Sequence, residues 1–227
     1  MAMLKLFVII LILPSIVLIH GSCATAADGA RVLPPDIDPE SLSRLPLIRK
    51  GELDGEGRRI FEYIMGAETD TPNIGPVAVS LYNTRVAEAM QLLNQEVRYR
   101  SVIGRRNTEV AILVAAREFD QQYEWSMHEE TARAEGVPDA VIDAIKYNRG
   151  LAGLDAEAAL IIRYGREIFR EHKLSSETFA ESVDLFGRRG AFEIAAIMGD
   201  YTMAAIMLHA VDQHLAADRT ALLPIME

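Results

Sequence analysis

Between positions 109 and 128 the chain gathers two carboxylates, an amide and an imidazole: Glu109, Gln121, Glu124 and His128. The steps between them are twelve, three and four residues. A helix that begins near Asp120 carries Gln121, Glu124 and His128 on one face, at offsets of three and seven. A carboxylate and an imidazole one turn apart can exchange a proton or share one. That is the minimum equipment for general acid–base chemistry. The polar stretch from Phe119 to Gln122 is expected to break the helix and let Glu109 fold back toward the same cluster. Asn107 or Thr108 is expected to cap the helix that carries Glu109. Two carboxylates beside one imidazole are expected to raise its pKa and keep it protonated.

Each of these residues also has a plainer reading. Glu109 near a helix N-terminus suits the helix dipole. His128, four residues after Glu124, makes an ordinary helix-surface pair. Gln121 orients a ligand or simply caps a helix. Of the two aromatics that flank Glu124, Trp125 is expected in the core and Tyr123 at a pocket. Arg85 can bind a ligand carboxylate. His128-Glu129 begins an H-E-x-x-H pattern, but Ala132 stands where the second histidine belongs, so no metal site is expected. His209 and His214, five residues apart, diverge on a helix and form no ligand pair.

The elements that must position these groups all read as helices. Asp54 caps a helix through Ile60, Phe61 and Ile64 that ends at Gly66. A turn-rich segment from Thr69 to Pro76 follows and is a candidate pocket wall. Asn83 opens a helix whose Val86, Met90, Leu93 and Val97 read as a core stripe. The apolar helix with Glu109 and the polar one with His128 come next, the latter stopping at Gly136. A short helix follows Pro138. Asp155 caps another, with Ala158, Ile161, Ile162, Gly165 and Phe169 inward. Ser175 caps one with Phe179, Val183 and Phe186, and a long Ala- and Met-rich helix runs from Ala191 to Leu215. Period-two alternation is absent. The expected class is all-α, one domain of seven or eight helices. Arg105-Arg106 before Glu109 and Arg188-Arg189 before Glu193 form a weak internal echo.

Composition sets outer limits. The chain has 227 residues, half of them hydrophobic, enough for a full core. A net charge of -10 argues against nucleic acid as a partner, because phosphate binding needs a basic face. Lys5, the apolar run from Leu6 to Ile19 and Ala24-Thr25-Ala26 read as a secretory signal over residues 1–26. An exported protein, periplasmic or secreted, with no stable membrane span after cleavage is therefore expected. The one cysteine is Cys23, in a poor lipobox, so disulfides are not expected to hold the mature chain. Residues 27–51, rich in proline, read as an extended arm, and residues 52–227 as the helical domain.

At Glu109…Gln121-Gln122-Tyr123-Glu124-Trp125…His128 the chain resembles the carboxymuconolactone decarboxylase family, which also contains alkyl hydroperoxidase D. The likeness spans residues 45–224. It includes the E-V-A-I-L entry, the Y-E-W-x-x-H centre and the G-D-Y-x-M ending. The redox branch of that family carries a glutamate, C-x-x-C and a histidine. Glu109 and His128 fall on the glutamate and histidine, while Gln121 and Glu124 fall where the cysteines would be. The resemblance therefore implies the decarboxylase-like branch: an all-α fold packed into trimers or hexamers, no cofactor, and acid–base chemistry on a small carboxylated lactone or similar organic acid. On this reading Glu109, Glu124 and His128 are catalytic, and Gln121, Tyr123 and Arg85 bind substrate. A ligand-binding or helical assembly module without turnover is the alternative. Thiol-based hydroperoxide reduction is a third reading, disfavoured by the missing cysteines.

Overall fold

A computed structural model describes residues 33–225. The expected signal segment and the first residues of the arm lie outside them. Among the described residues there are eight α-helices and no strand: α1 (Gly55–Met65), α2 (Pro76–Ser80), α3 (Thr84–Asn94), α4 (Arg105–Glu118), α5 (Gln122–Ala134), α6 (Asp139–Lys146), α7 (Ala156–Arg166) and α8 (Ser176–Ala210). The all-α reading of the sequence holds.

Everything is built around α4. Each residue from Asn107 to Arg117 is buried. A helix buried on every side sits at the centre of a bundle, and its polar residues, Asn107, Thr108, Glu109 and Arg117, must find partners there. Helices α5, α6, α7 and α8 enclose it. Ile112, Leu113, Trp125, Ile142, Ile161 and Ile194 are fully buried between them. Trimming Ile112 or Leu113 to alanine would cost about 2–5 kcal/mol. The tightest approach is at Gly165 of α7, where a Cβ would fall 2.3 Å from Val114 Cγ1. Only glycine lets these two helices touch there.

The side-chain caps at Asp54, Asn83, Asp155 and Ser175 form as expected. Others differ. The N-cap of α4 is Gly104, which has positive φ and no capping side chain. Asn107 and Thr108 lie inside the helix instead. Thr108 Oγ1 bonds back to the Arg105 carbonyl at 2.8 Å, and the Asn107 amide donates to the Ile103 carbonyl at 2.9 Å. The α3 stripe is not a core stripe. Of its four residues only Val97, in the turn after α3, is buried; Met90 is half-buried and Val86 and Leu93 are exposed, because α3 is an outer helix that turns Ala87 inward instead. Phe179 is also exposed, since Thr178 and Ser182 take the inward positions there. The two C-terminal helices join into α8, broken at Gly187 where φ is 71°, and the helix ends at Ala210 rather than Leu215.

Residues 33–51 lie against the chain that follows α8. The Arg44 amide donates to the Val211 carbonyl and the His214 amide to the Leu42 carbonyl, each at 2.8 Å. The C-terminal tail straps α4 and α5. The Gln122 side chain bonds both main-chain groups of Leu223, and Arg117 donates to the Pro224 carbonyl at 2.7 Å. By length and composition α8 is apolar enough to cross a membrane, but Ile194, Ile197, Ala205 and Leu208 are buried in the core. That is the behaviour of a central bundle helix.

Candidate functional site

Helix α4 ends at Glu118, and Asp120 takes a left-handed turn with φ of 49°. Helix α5 then starts at Gln122 and runs back alongside α4. This break carries His128 to Glu109. Their separation is 2.7 Å, from His128 Nδ1 to Glu109 Oε2. On its other side His128 Nε2 stands 3.6 Å from Glu124 Oε2. The imidazole therefore sits between two carboxyl groups, and all three residues are buried.

Glu109 has no exposed surface, so the surface reading fails for it. Its Oε1 accepts from Arg98 Nε at 3.1 Å, from Arg98 Nη2 at 3.0 Å and from Arg105 Nη2 at 3.0 Å. Arg98 reaches it because α3 continues into a π-helical turn, Gln95–Tyr99. Burial alone would raise the Glu109 carboxyl. The bonds to His128 and Arg98 outweigh it and hold the group below the usual carboxylate range. Glu109 is an anion.

The expectation of a protonated His128 is not met. Burial pushes its pKa down, and the positive charges of Arg98 and Arg105 push the same way against the pull of Glu109. The ring is neutral. Its Nδ1–H donates to Glu109, which leaves the Nε2 lone pair toward Glu124. Glu124 moves the other way. Burial, Asp200 and Glu109 raise it to about 8 against the pull of Arg98. It is an uncharged acid at neutral pH, and its Oε1 is buried without a hydrogen-bond partner.

These groups face a cavity of about 220 Å³. Its polar side is Arg98, Glu124, His128, Asn94, Asp200 and Tyr201. Its apolar side includes Ile64, Val77, Ala87, Met90 and Ala204. The Tyr201 ring stands edge-on to His128, with centroids 4.9 Å apart. The Asn94 amide donates to Asp200 Oδ2 at 2.9 Å and lies 3.4 Å from the Tyr201 hydroxyl.

Tyr123 lines the cavity, and its hydroxyl donates to the Ile74 carbonyl at 2.7 Å. That bond fixes the end of the turn-rich segment, where Pro76 and Val77 form a cavity wall. Gly75 is required beneath it: φ is 104°, and a Cβ would lie 2.5 Å from the Tyr123 oxygen. Trp125 is in the core, with its indole nitrogen bonded to Glu129. Glu129 is occupied further by Lys146 at 3.0 Å and Arg133 at 2.7 Å.

Three residues singled out in the sequence stand elsewhere. Gln121 is the N-cap of α5 and accepts from the Tyr123 amide at 2.9 Å. Its side chain turns back onto its own helix end and does not line the cavity. Arg85 is exposed on α3 and pairs with Glu56, because the face of α3 toward the cavity is that of Ala87, Met90, Gln91 and Asn94. His209 is not in the cavity either; its Nε2 lies 2.8 Å from the Phe119 carbonyl.

The backbone of this arrangement has a counterpart. The fold is that of an alkylhydroperoxidase D-like helical protein. The chain is similar to the crystal structure of an alkylhydroperoxidase AhpD core, an uncharacterized peroxidase-related protein from Ralstonia eutropha JMP134, at a TM-score of 0.60 and 17% sequence identity. The match covers 78% of this chain and 94% of that one. At that identity the likeness is one of fold. No protein-family description matches the chain. No curated protein matches it either.

Asn94, Arg98, Asp200 and Tyr201 have no assigned role in the sequence reading. For Asp200 a signal was present: a carboxylate in the middle of an Ala- and Met-rich helix needs a reason to be buried. Arg98 gave none, because the π-turn that aims it has no sequence signature.

Proposed function

We propose that the cavity performs cofactor-independent acid–base chemistry on a small organic acid, with decarboxylation of a carboxylated lactone, or a related lyase or isomerase step, as the reaction. The observation that supports this reading is the buried His128 ring, with Nδ1 2.7 Å from Glu109 and Nε2 3.6 Å from Glu124, at the polar side of the cavity; the surroundings push Glu109 down and Glu124 up. Pairs of titratable groups pushed in opposite directions are what acid–base catalysis uses.

In this reading Arg98 supplies positive charge for an anionic substrate. The substrate carboxylate leaves as CO2, and the C–C electron pair delocalises toward the lactone carbonyl. The resulting enolate carbon takes a proton from Glu124. His128 Nε2 relays the replacement proton, and Glu109 keeps the ring in the tautomer that can do so. Tyr123 holds the cavity wall. The apolar side takes the hydrocarbon part of the ligand.

The test is release of CO2 and appearance of the enol-lactone product from a carboxymuconolactone, followed by NMR, with wild-type protein and His128→Asn. Release by wild type well above the blank, lost in the variant, supports the reading. Equal, blank-level release by both would end it.

A further inference from the structure

Two carboxyl groups from different helices line the cavity, Glu124 of α5 and Asp200 of α8. Both are buried, Glu124 at 3% and Asp200 at 5% exposure. Their partners differ. Asp200 receives the Asn94 amide at 2.9 Å, a bond that favours its anionic form. Glu124 has one oxygen 3.6 Å from His128 Nε2 and the other with no partner at all. When two neighbouring acids share a site of low polarity, the one with the donor ionises first and its charge holds the proton on the other.

We propose that Asp200, fixed by Asn94, is a positioning residue that keeps the proton on Glu124 and so maintains the proton donor of the cavity. The inference rests on the acid–base reading of the same cavity, but it concerns a residue that need not touch the substrate. The other charged and titratable groups facing Glu124 do not replace Asp200 in this role. Arg98, from the π-turn after α3, favours loss of the proton. Glu109 of α4 favours its retention, but its own charge is balanced by Arg98 and Arg105. His128 and Tyr123 on α5 and Tyr201 on α8 are uncharged at neutral pH. Burial pushes the Asp200 carboxyl up, and the Asn94 bond and the Arg98 charge oppose that, so Asp200 depends on Asn94 to hold its charge beside Glu124. The unpartnered Glu124 oxygen then keeps its proton free for the ligand atom that takes it.

The experiment is a carbon-13 NMR titration of glutamate side-chain carboxyls in the full chain, without ligand. The Glu124 signal is identified by its loss in Glu124→Gln. In wild type it should titrate near pH 8, and in the near-isosteric Asp200→Asn its midpoint should move down by about one pH unit or more. Asn94→Ala should move it the same way by a smaller amount, because Asp200 then holds its charge less well. A Glu124 midpoint in the ordinary carboxylate range, or one unmoved in a folded Asp200→Asn protein, overturns the proposal. Should Asp200→Asn not fold, the Asn94→Ala titration decides alone, and an unchanged midpoint there overturns it too. No turnover is measured, so the outcome is independent of the decarboxylation test. A shifted midpoint without CO2 release would leave Asp200 in its role and remove the reaction.

Discussion

His128 Nδ1 lies 2.7 Å from Glu109 Oε2, a contact between residues nineteen apart that exists only because the chain reverses at Asp120. The bond fixes the tautomer of a buried neutral ring. Glu109, His128 and Glu124 should therefore behave as a unit. His128→Asn and Glu124→Gln should each lower turnover of a carboxylated lactone by roughly 10²-fold or more. The double variant should be little worse than the poorer single one. Steady-state rates for the three proteins check this, and multiplying losses would show independent residues. Glu109→Gln is a poorer probe. It leaves Arg98 and Arg105 facing an uncharged amide in the interior, at a cost of about 3–5 kcal/mol. Urea melts should show that loss for Glu109→Gln and a much smaller one for His128→Asn.

Much of this arrangement was legible in the chain, for identifiable reasons. The step from Glu124 to His128 is one helical turn, and spacing within a helix is fixed by the backbone. The break between α4 and α5 was legible because Asp120 and its polar neighbours interrupt an apolar run. The caps at Asp54, Asp155 and Ser175 are local hydrogen bonds between residues three apart. What was not legible depends on distant packing. Nothing near Val86 or Leu93 says that α3 lies on the outside. The charge of His128 is not legible, because spacing shows its two carboxyl neighbours but not the burial or the arginines that outweigh them. Arg98 enters from a π-turn that no local pattern announces.

The protein should not reduce hydroperoxides through thiol chemistry. Its one cysteine is Cys23, and Gln121 and Glu124 occupy the positions where the sequence resemblance puts a thiol pair. Neither residue can form a sulfenic acid. Consumption of cumene hydroperoxide with a dithiol reductant should match the protein-free blank. A saturable rate that survives removal of trace metal would overturn this.

We propose that the protein is a homo-oligomer, a trimer or hexamer. On α8, Phe192 is 69% exposed and Ile206 54% exposed. Leu92 and Val86 on α3 and Met127 on α5 are exposed as well. Large side chains of this kind gather at subunit contacts. Light scattering at micromolar concentration should give a mass of three chains or more, and Phe192→Glu with Ile206→Glu should lower it. A single-chain mass for the unaltered protein would refute the proposal.

The stability of the fold should fall as pH rises toward 8, and Glu124 should be the cause. In the unfolded chain Glu124 loses its proton near 4.5, whereas in the folded protein it keeps it up to about 8. Between those values the folded state binds the extra proton, so stability declines with increasing pH. The contribution is fully present below about pH 4.5 and lost once pH passes about 8. Glu109 acts in the opposite sense, since its folded-state value is depressed. Its contribution is complete above the ordinary carboxylate range and fades only in acid. His128, whose folded-state value is also depressed, makes stability rise with pH up to its ordinary range near 6.5 and so opposes Glu124 in acid; above neutrality neither Glu109 nor His128 contributes, and the slope there belongs to Glu124. Its size should be a few kcal/mol at most, set by the cost of leaving a charge in the cavity. Glu124→Gln keeps the shape of the protonated acid and cannot ionise. It should match wild type at pH 5, exceed it at pH 9 and flatten the slope between. Urea unfolding at pH 5, 7 and 9 measures all three. Parallel slopes for the two proteins would mean that Glu124 is ionised in the folded state at neutral pH, and the proton donor assigned to the cavity would be gone.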